Sequence, residues 1–270
     1  MASKIKKKLG GNLRFMISGG APLNAAISQF FNALGIPLIE GYGLTEAAPI
    51  LCCNLLDDQK IGSVGKALPS ITLKKDAEGV LWAKGPNIMS AYYNQTEATA
   101  EVIKDGWLNT GDVVTIDGDG FVTIVDRKKS LLVLSNGKNV APLPLEEAVK
   151  QCPFVSQVVV IGDNEKFVAA LIVPDFDALC TRFPKVAMAD QRTLFCESEE
   201  GNRFFHDEIQ SLMVAFSSFE QVKKIALLPK EWTIESDELT PTLKPKRGVI
   251  LKNNEKKLLM IYGKKEYTSD

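Results

Sequence analysis

A single histidine, His206, serves a chain of 270 residues, and the five cysteines (Cys52, Cys53, Cys152, Cys180 and Cys196) form no Cys-x-x-Cys pair. These shortages exclude the zinc spacings built from such ligands. Cysteines without a disulfide framework fit a reduced, cytoplasmic chain. No apolar run approaches the ~20 residues of a membrane-spanning helix. The opening "MASKIKKKLGG" is basic but has no apolar core behind it, so it does not read as a signal peptide. An excess of positive charge is also missing: 32 Lys and Arg face 33 Asp and Glu, and nucleic acid is not an expected partner. What the chain does have is 45% apolar residues, enough at this length to bury one large core or two modest ones.

The first periodic segments are "LRFMIS", the glycine turn "GGAP", and "LNAAISQFFNALG", in which Ile27, Phe30, Phe31 and Leu34 recur at helical spacing. Gly35 reads as the helix stop. The run "IPLIEGYG" follows as a second strand, so strand, helix and strand predict part of a parallel α/β sheet, with ligands bound beyond the carboxyl ends of its strands. The glycines at 19–20 and at 41–43 are both expected to form tight turns on that edge. From about residue 60, short β-rich runs broken by Gly, Pro and Asp predict a small antiparallel barrel or sandwich. After a boundary between Asp126 and Ser130, the helix "LPLEEAVKQC" and the strands "VSQVVVIG" and "KFVAALIVPD" predict a separate α+β module of about 130 residues. The closing "KKLLMIYGKKEYTSD" is expected to fray.

Several polar groupings have plain structural readings. "DGDG" at 117–120 begins like a calcium loop, but Val122 stands where such a loop needs glycine and Lys128 where it needs a carboxylate. A hairpin turn between "VVTI" and "FVTIV" is expected instead. Cys52 and Cys53 read as core fillers. His206 reads as a surface residue without a catalytic partner.

"GYGLTE" at 41–46 offers more chemistry. Glycines flanking Tyr42 let the backbone approach a flat ligand while the ring supplies a stacking face. Thr45 can donate to a phosphate oxygen, and Glu46 is a hard oxygen ligand suited to Mg²⁺. From these residues alone, a turn with a capping threonine remains the other reading. "GWLNTGD" adds Asp112, a carboxylate able to accept both hydroxyls of a ribose. "VDRKK" adds Arg127, a permanent cation for ribose or phosphate, and the Pro-rich "LTPTLKPKRG" presents Lys244.

With "LGGNLRFMISGGAPL", "GYGLTEAAP", "GSVGKALP", "YYNQTEAT", "GWLNTGD", "DRKKSLLVLSNGKNVAP" and "LTPTLKPKR" in this order, nearly the whole chain resembles the carboxyl-terminal part of adenylate-forming enzymes, above all long-chain fatty acyl-CoA synthetases. The resemblance implies the end of a large α/β adenylation domain over 1–128, with an α/β part at 1–58 and a β-barrel-like subdomain at 59–128. A small mobile α+β domain over 129–270 would follow the hinge Lys129. It further implies ATP, Mg²⁺ and coenzyme A, with a fatty acid as substrate, and it leaves peripheral membrane contact open. By resemblance Gly20 and Ala21 line the adenine and acyl side. Tyr42, with Gly43 beside it, stacks on adenine, while Thr45 and Glu46 address the phosphates and Mg²⁺. Asp112 and Arg127 hold the ribose. Gly137 faces the pantetheine tunnel, and Lys244 bridges the carboxylate and the α-phosphate, with Lys246 as the alternative if the loop aligns differently. An acyl-carrier-protein or peptide-synthetase-type adenylation unit shares the first step, and a non-catalytic nucleotide-binding remnant is the reading from outside enzymology. Three departures stand out. The family's Ser/Thr/Gly-rich phosphate loop ending in Pro-Lys-Gly is not found in these residues, so the amino-terminal half of the domain is expected to be missing. Ala91 replaces a glycine before "YY", and Pro245 replaces an apolar residue after Lys244.

Overall fold

A computed structural model of the chain describes residues 2–263, and the chain divides into two compact units, Met1–Lys129 and Ser130–Asp270. In the first unit, helix α1 (Ala2–Lys8) precedes strand β1 (Met16–Ser18), helix α2 (Ala25–Ala33) and strand β2 (Leu38–Gly43). β1 and β2 pair in parallel, as strands joined by a crossover helix do, with Ile17 opposite Ile39. Asn24 caps α2 by accepting from the Ala26 amide, and Gly35, at φ +69°, ends it.

The expected apolar stripe of α2 is present but does not form a core. Ile27 is 47% and Phe30 49% exposed, and the residue α2 buries is Ser28, whose hydroxyl donates to the Leu38 carbonyl at 3.2 Å.

The sheet turns antiparallel at β3 (Ile50–Cys53) and β4 (Lys66–Ala67). This corrects the expected tight turn at 41–43. Gly41, Tyr42 and Gly43 are the extended end of β2, paired with Cys53, Cys52 and Ile50. The reversal comes one step later, in a short 3₁₀ turn at Thr45–Ala47. Glycine is needed at 43 because the chain returns over it: a Cβ there would lie 1.7 Å from the Pro49 carbonyl oxygen. Leu51 and Cys52 of β3 are both fully buried and Cys53 is half-buried, so the core-filler reading holds for the first of the pair.

A second, antiparallel sheet follows and curls into a half-barrel. Its strands are β5 (Thr72–Lys75), β6 (Val80–Lys84), β7 (Ile103–Lys104), β8 (Trp107–Ile116) and β9 (Val122–Arg127), with helix α3 (Thr96–Val102) ahead of β7. Leu81, Ala83, Leu108, Val114 and Val122 point inward and share one core with Leu51 and Cys52 of the first sheet. The "DGDG" segment is the β8–β9 hairpin turn, its Asp117 accepting from the Asp119 and Phe121 amides.

In the second unit a short hairpin, β10 (Leu132–Val133) and β11 (Asn139–Val140), leads into α4 (Pro142–Val149). A three-stranded sheet of β12 (Val155–Ile161), β13 (Ala169–Pro174) and β14 (Lys224–Leu227) is covered on both faces, which is why its strands read as continuous apolar runs. Val158, Val160, Ala170 and Ile172 face a core with α4, α5 (Phe176–Leu179), α6 (Ala189–Glu197) and α7 (Glu199–Leu212). Val159, Ile161, Leu171 and Val173 face another with Trp232, Leu239, α8 (Arg247–Asn253) and α9 (Glu255–Tyr262). His206 lies on α7 with its side chain 45% exposed, as read.

The expectation that the last stretch frays fails over its first half. "EKKLLMIY" is helix α9, held because Ile261 is buried and Leu258 and Tyr262 pack on the second core. Residues 264–270 lie outside the described part.

Candidate active site

The hairpin turn at 117–120 sets β8 against β9 as far as Val114 and Ile124, and a one-residue bulge at Val125 then shifts the pairing so that Asp112 stands opposite Arg127. Arg127 Nε approaches Asp112 Oδ1 at 3.2 Å, and the Tyr42 hydroxyl donates to Asp112 Oδ2. Three residues singled out from separate motifs therefore meet around one carboxylate. Asp112 is turned inward by a bend whose Gly111 has φ +73°, with the Asp112 amide donating to Thr110 Oγ1 at 3.1 Å and the Thr110 hydroxyl donating to the Leu81 carbonyl at 2.9 Å. Asp112 is buried while the Arg127 side chain is 71% exposed, so the anion is fixed and the cation can swing. Burial first, and then the Asp112 charge, push the Tyr42 phenol well above its ordinary value, so it stays a donor.

Gly20 and Ala21 form the exposed turn after β1, and a Cβ on neighbouring Gly19 would stand 3.3 Å from the Gly41 carbonyl oxygen. The two glycine segments thus adjoin. Glu46 lies in the 3₁₀ turn with Thr45 exposed before it. Its Oε1 accepts from the Tyr92 hydroxyl at 2.8 Å. That bond, more than partial burial, raises the Tyr92 phenol above its usual range.

Among the described residues no group of three or more His, Cys, Asp or Glu is placed to hold a metal ion. A lone carboxylate still suits Mg²⁺, which usually takes one or two carboxylates together with substrate phosphates rather than an all-protein cage. Glu46, steadied through Oε1, fits that donor set.

Sequence reasoning missed Glu40, a buried carboxylate that accepts from the Leu23 amide at 3.2 Å and whose pKa burial raises. Its signal was a lone acid inside the apolar run "IPLIEG". Tyr92, Asn87 and Thr110 were also missed, because their roles rest on contacts across 29 to 46 residues of chain.

In the second unit, Gly137 occupies the turn of the β10–β11 hairpin at φ +80°, where side chains rarely fit, and donates its amide to the Leu134 carbonyl at 2.8 Å. Lys244 stands exposed in a loop closed by a bridge between Leu239 and Pro245, its amide donating to Thr240 Oγ1 at 3.0 Å. Lys246 is engaged by Asp237. Lys129, exposed, is the last residue of the first unit.

Family models match the two units in turn: an AMP-binding enzyme model over residues 1–93 and an AMP-binding enzyme C-terminal domain model over 129–225. The chain belongs to the AMP-binding, adenylate-forming superfamily. Within it, the chain is 37% identical to the long-chain-fatty-acid–CoA ligase FadD15 of Mycobacterium tuberculosis, over 97% of this chain and 44% of that protein. It is 34% identical to long-chain-fatty-acid–CoA ligase 1 of Homo sapiens, over 90% of this chain and 37% of that protein. Among solved structures, the A domain of the carboxylic acid reductase from Segniliparus rugosus, in complex with AMP and a co-purified carboxylic acid, superposes with a TM-score of 0.77 at 26% identity, covering 97% of this chain and 41% of that one. The chain thus spans less than half the length of the relatives it matches. Among the described residues no helix is long and apolar enough to cross a membrane.

Proposed function

We propose that the full-length protein activates a long-chain fatty acid with ATP, giving acyl-AMP and pyrophosphate, and transfers the acyl group to coenzyme A. The convergence of Tyr42 and Arg127 on buried Asp112 carries this reading, because it joins an aromatic face, a fixed acceptor for ribose hydroxyls and a mobile cation in one place. Tyr42 is held by its hydroxyl with its ring left to stack on adenine, and Asp112 accepts from the ribose. Thr45 donates to a phosphate oxygen. Glu46 would hold Mg²⁺, which when bound neutralises charge on the triphosphate. Lys244 supplies the cation between the fatty acid carboxylate and the α-phosphate, where negative charge builds in the transition state. Gly20 and Ala21 border the adenine and acyl side, and Gly137 faces the incoming thiol, a glycine suiting close passage of a ligand. Lys129 is proposed as the hinge between domains 1–128 and 129–270.

The test is AMP and acyl-CoA formation by the full-length protein from a long-chain fatty acid, ATP and coenzyme A; nucleotide release without acyl-CoA would overturn the ligase reading. Likeness to the carboxylic acid reductase A domain, whose A-PCP didomain also superposes with a TM-score of 0.76, supports the second reading, a carrier-protein acceptor. Activity that responds to a phosphopantetheinylated carrier protein and not to coenzyme A would favour it.

Two outcomes are expected. Asp112→Asn leaves the shape but removes the charge that Arg127 and Tyr42 share, and a hydrogen bond to a charged group contributes about 1.5–3 kcal/mol. ATP affinity of the full-length protein should fall by roughly ten- to a hundredfold, read by calorimetry; an unchanged affinity would remove Asp112 from the ribose site. The 270-residue chain by itself, without the family's phosphate loop, is expected to form little or no acyl-CoA. Robust ATP-dependent acyl-CoA synthesis by that chain would contradict this.

A further inference from the structure

The carboxylate assigned to Mg²⁺ lies on a 3₁₀ turn of three residues between two strand ends, a segment too short to hold its own geometry. Its stiffness comes from elsewhere. Residues 85–95, which join β6 to α3, reach the turn through four hydrogen bonds. Asn87 Nδ2 donates to the Ala47 carbonyl at 2.6 Å and to the Ile50 carbonyl at 3.0 Å, so one amide spans both ends of the reversal. The Met89 amide donates to the Glu46 carbonyl at 2.8 Å, and the Tyr92 hydroxyl donates to Glu46 Oε1 at 2.8 Å. Asn87 Oδ1 is buried and has no hydrogen-bond partner among the described residues, so its ties to the turn run through its donors. The far end of the segment is itself tied down: the Tyr92 amide donates to Thr99 Oγ1 at 3.0 Å, and that hydroxyl donates to the Gln95 carbonyl at 2.7 Å.

We infer that Asn87 and Tyr92 are positioning residues for the metal carboxylate, Asn87 fixing the backbone of the Thr45–Glu46 turn and Tyr92 fixing the rotation of the Glu46 carboxylate. The inference rests on the proposed role of Glu46 as the Mg²⁺ ligand. Tyr92 takes one carboxylate oxygen, so the other would be the one to bind the ion. Groups that orient a metal ligand in this way typically change metal affinity ten- to a hundredfold when removed. A carboxylate held in place before the ion arrives also needs no reorganisation during adenylation.

Tyr92→Phe deletes a hydroxyl from a partly exposed ring, and Asn87→Asp replaces an amide by a group of the same shape that repels both carbonyls it faced. In the full-length protein, calorimetric titration of ATP at graded Mg²⁺ concentrations reads the metal requirement without turnover, with Glu46→Gln as reference. Tyr92→Phe should raise the Mg²⁺ concentration for half-maximal ATP binding about tenfold. Added to Glu46→Gln it should change little, since the two act through one contact. Transfer to coenzyme A from supplied acyl-AMP should stay within about twofold of the unmodified protein. Asn87→Asp should speed hydrogen exchange of the amides of residues 45–48 and 50 and leave the β8–β9 amides unchanged. If Glu46→Gln raises the metal requirement and Tyr92→Phe does not, the inference is overturned and the reading of Glu46 stands. If neither moves it, the metal role of Glu46 falls and the inference with it. Unchanged exchange at 45–48 and 50 would remove Asn87 from the assignment; should Asn87→Asp fail to fold, the Tyr92→Phe titration decides.

Discussion

Replacing Lys244 by alanine in the full-length protein should slow acyl-AMP formation by about a hundred- to a thousandfold, the loss typical when one partner of a developing oxyanion is removed. Transfer of the acyl group from supplied acyl-AMP to coenzyme A should continue near its normal rate. The split follows from the proposed chemistry: Lys244 acts on the negative charge that builds on the α-phosphate oxygens as the carboxylate attacks and pyrophosphate leaves, and that transition state is past once the adenylate exists. The loop suits this use. Its ladder bonds run from the Thr240 amide to the Lys244 carbonyl at 2.9 Å and from the Lys246 amide to the Glu238 carbonyl at 2.8 Å. Pro245, opposite Leu239, falls between them, where no amide is needed. The proline that looked like a departure therefore costs no hydrogen bond and stiffens the turn behind the lysine. Lys246, two residues on, is held by Asp237, so Lys246→Ala should leave adenylation within a few-fold of normal. Single-turnover measurement of both half-reactions checks this. Equal loss of both steps in Lys244→Ala would end the first-step role, and a first-step loss confined to Lys246→Ala would move the role by two residues.

The residues that carry chemistry were more legible than the backbone that presents them. Asp112 and Arg127 could be named from "GWLNTGD" and "VDRKK", but the hairpin turn that "DGDG" announces would alone set Asp112 opposite Asp126, and the bulge at Val125 that brings Arg127 there carries no sequence signal. Their meeting with Tyr42, 70 residues away, could not be read from spacing, because it depends on how the second sheet packs over the first. The glycines of "GYG" misled for a physical reason. Glycine serves both turns that need positive φ and strands that another backbone must approach, and Gly43 is the second kind. Periodicity found α2 correctly but said nothing about what its apolar face meets; Ile27 and Phe30, with Ile17 of β1, are exposed. In the second unit the continuous apolar runs of β12 and β13 signalled a sheet covered on both faces, while the helix α9 that covers part of it was hidden among lysines. Glu46 could be proposed as a metal ligand from its chemistry alone. The Asn87 and Tyr92 contacts on its turn could not, since an asparagine and a tyrosine in a loop are ordinary until their partners are known.

The largest effect on stability is expected at Arg247, which no sequence feature marked. β12 is an edge strand of the three-stranded sheet, and the backbone of Val160 on it is satisfied by side chains. Its amide donates to Glu146 Oε1 at 2.8 Å, and its carbonyl accepts from Arg247, whose second terminal nitrogen donates to Glu146 Oε1 at 2.7 Å. The pair closes a sheet edge and ties α4 to the start of α8. Glu146 is buried, and desolvation, outweighing the opposing pull of Arg247, raises its carboxyl above the ordinary 4.5. Arg247→Leu would take away that pull and strand a buried carboxylate, a change that costs about 3–5 kcal/mol when one partner of a buried pair is lost. The sign with pH follows from the raised value. A carboxyl whose folded pKa exceeds its unfolded one destabilises the fold above the folded pKa, and that penalty fades as pH falls toward the unfolded pKa and the group is protonated. Removing Arg247 raises the folded pKa further, so the deficit of Arg247→Leu relative to the parent should be greatest near neutral pH and shrink toward pH ~5. Adding Glu146→Gln, which keeps an acceptor for the Val160 amide without the charge, should recover part of the loss and flatten its pH dependence. Denaturant unfolding of the second unit at several pH values, followed by hydrogen exchange of the β12 amides, measures all three effects. A deficit under about 1 kcal/mol, within the range of an exposed ion pair, or one that does not change with pH, would mean that Glu146 does not depend on Arg247 for its charge.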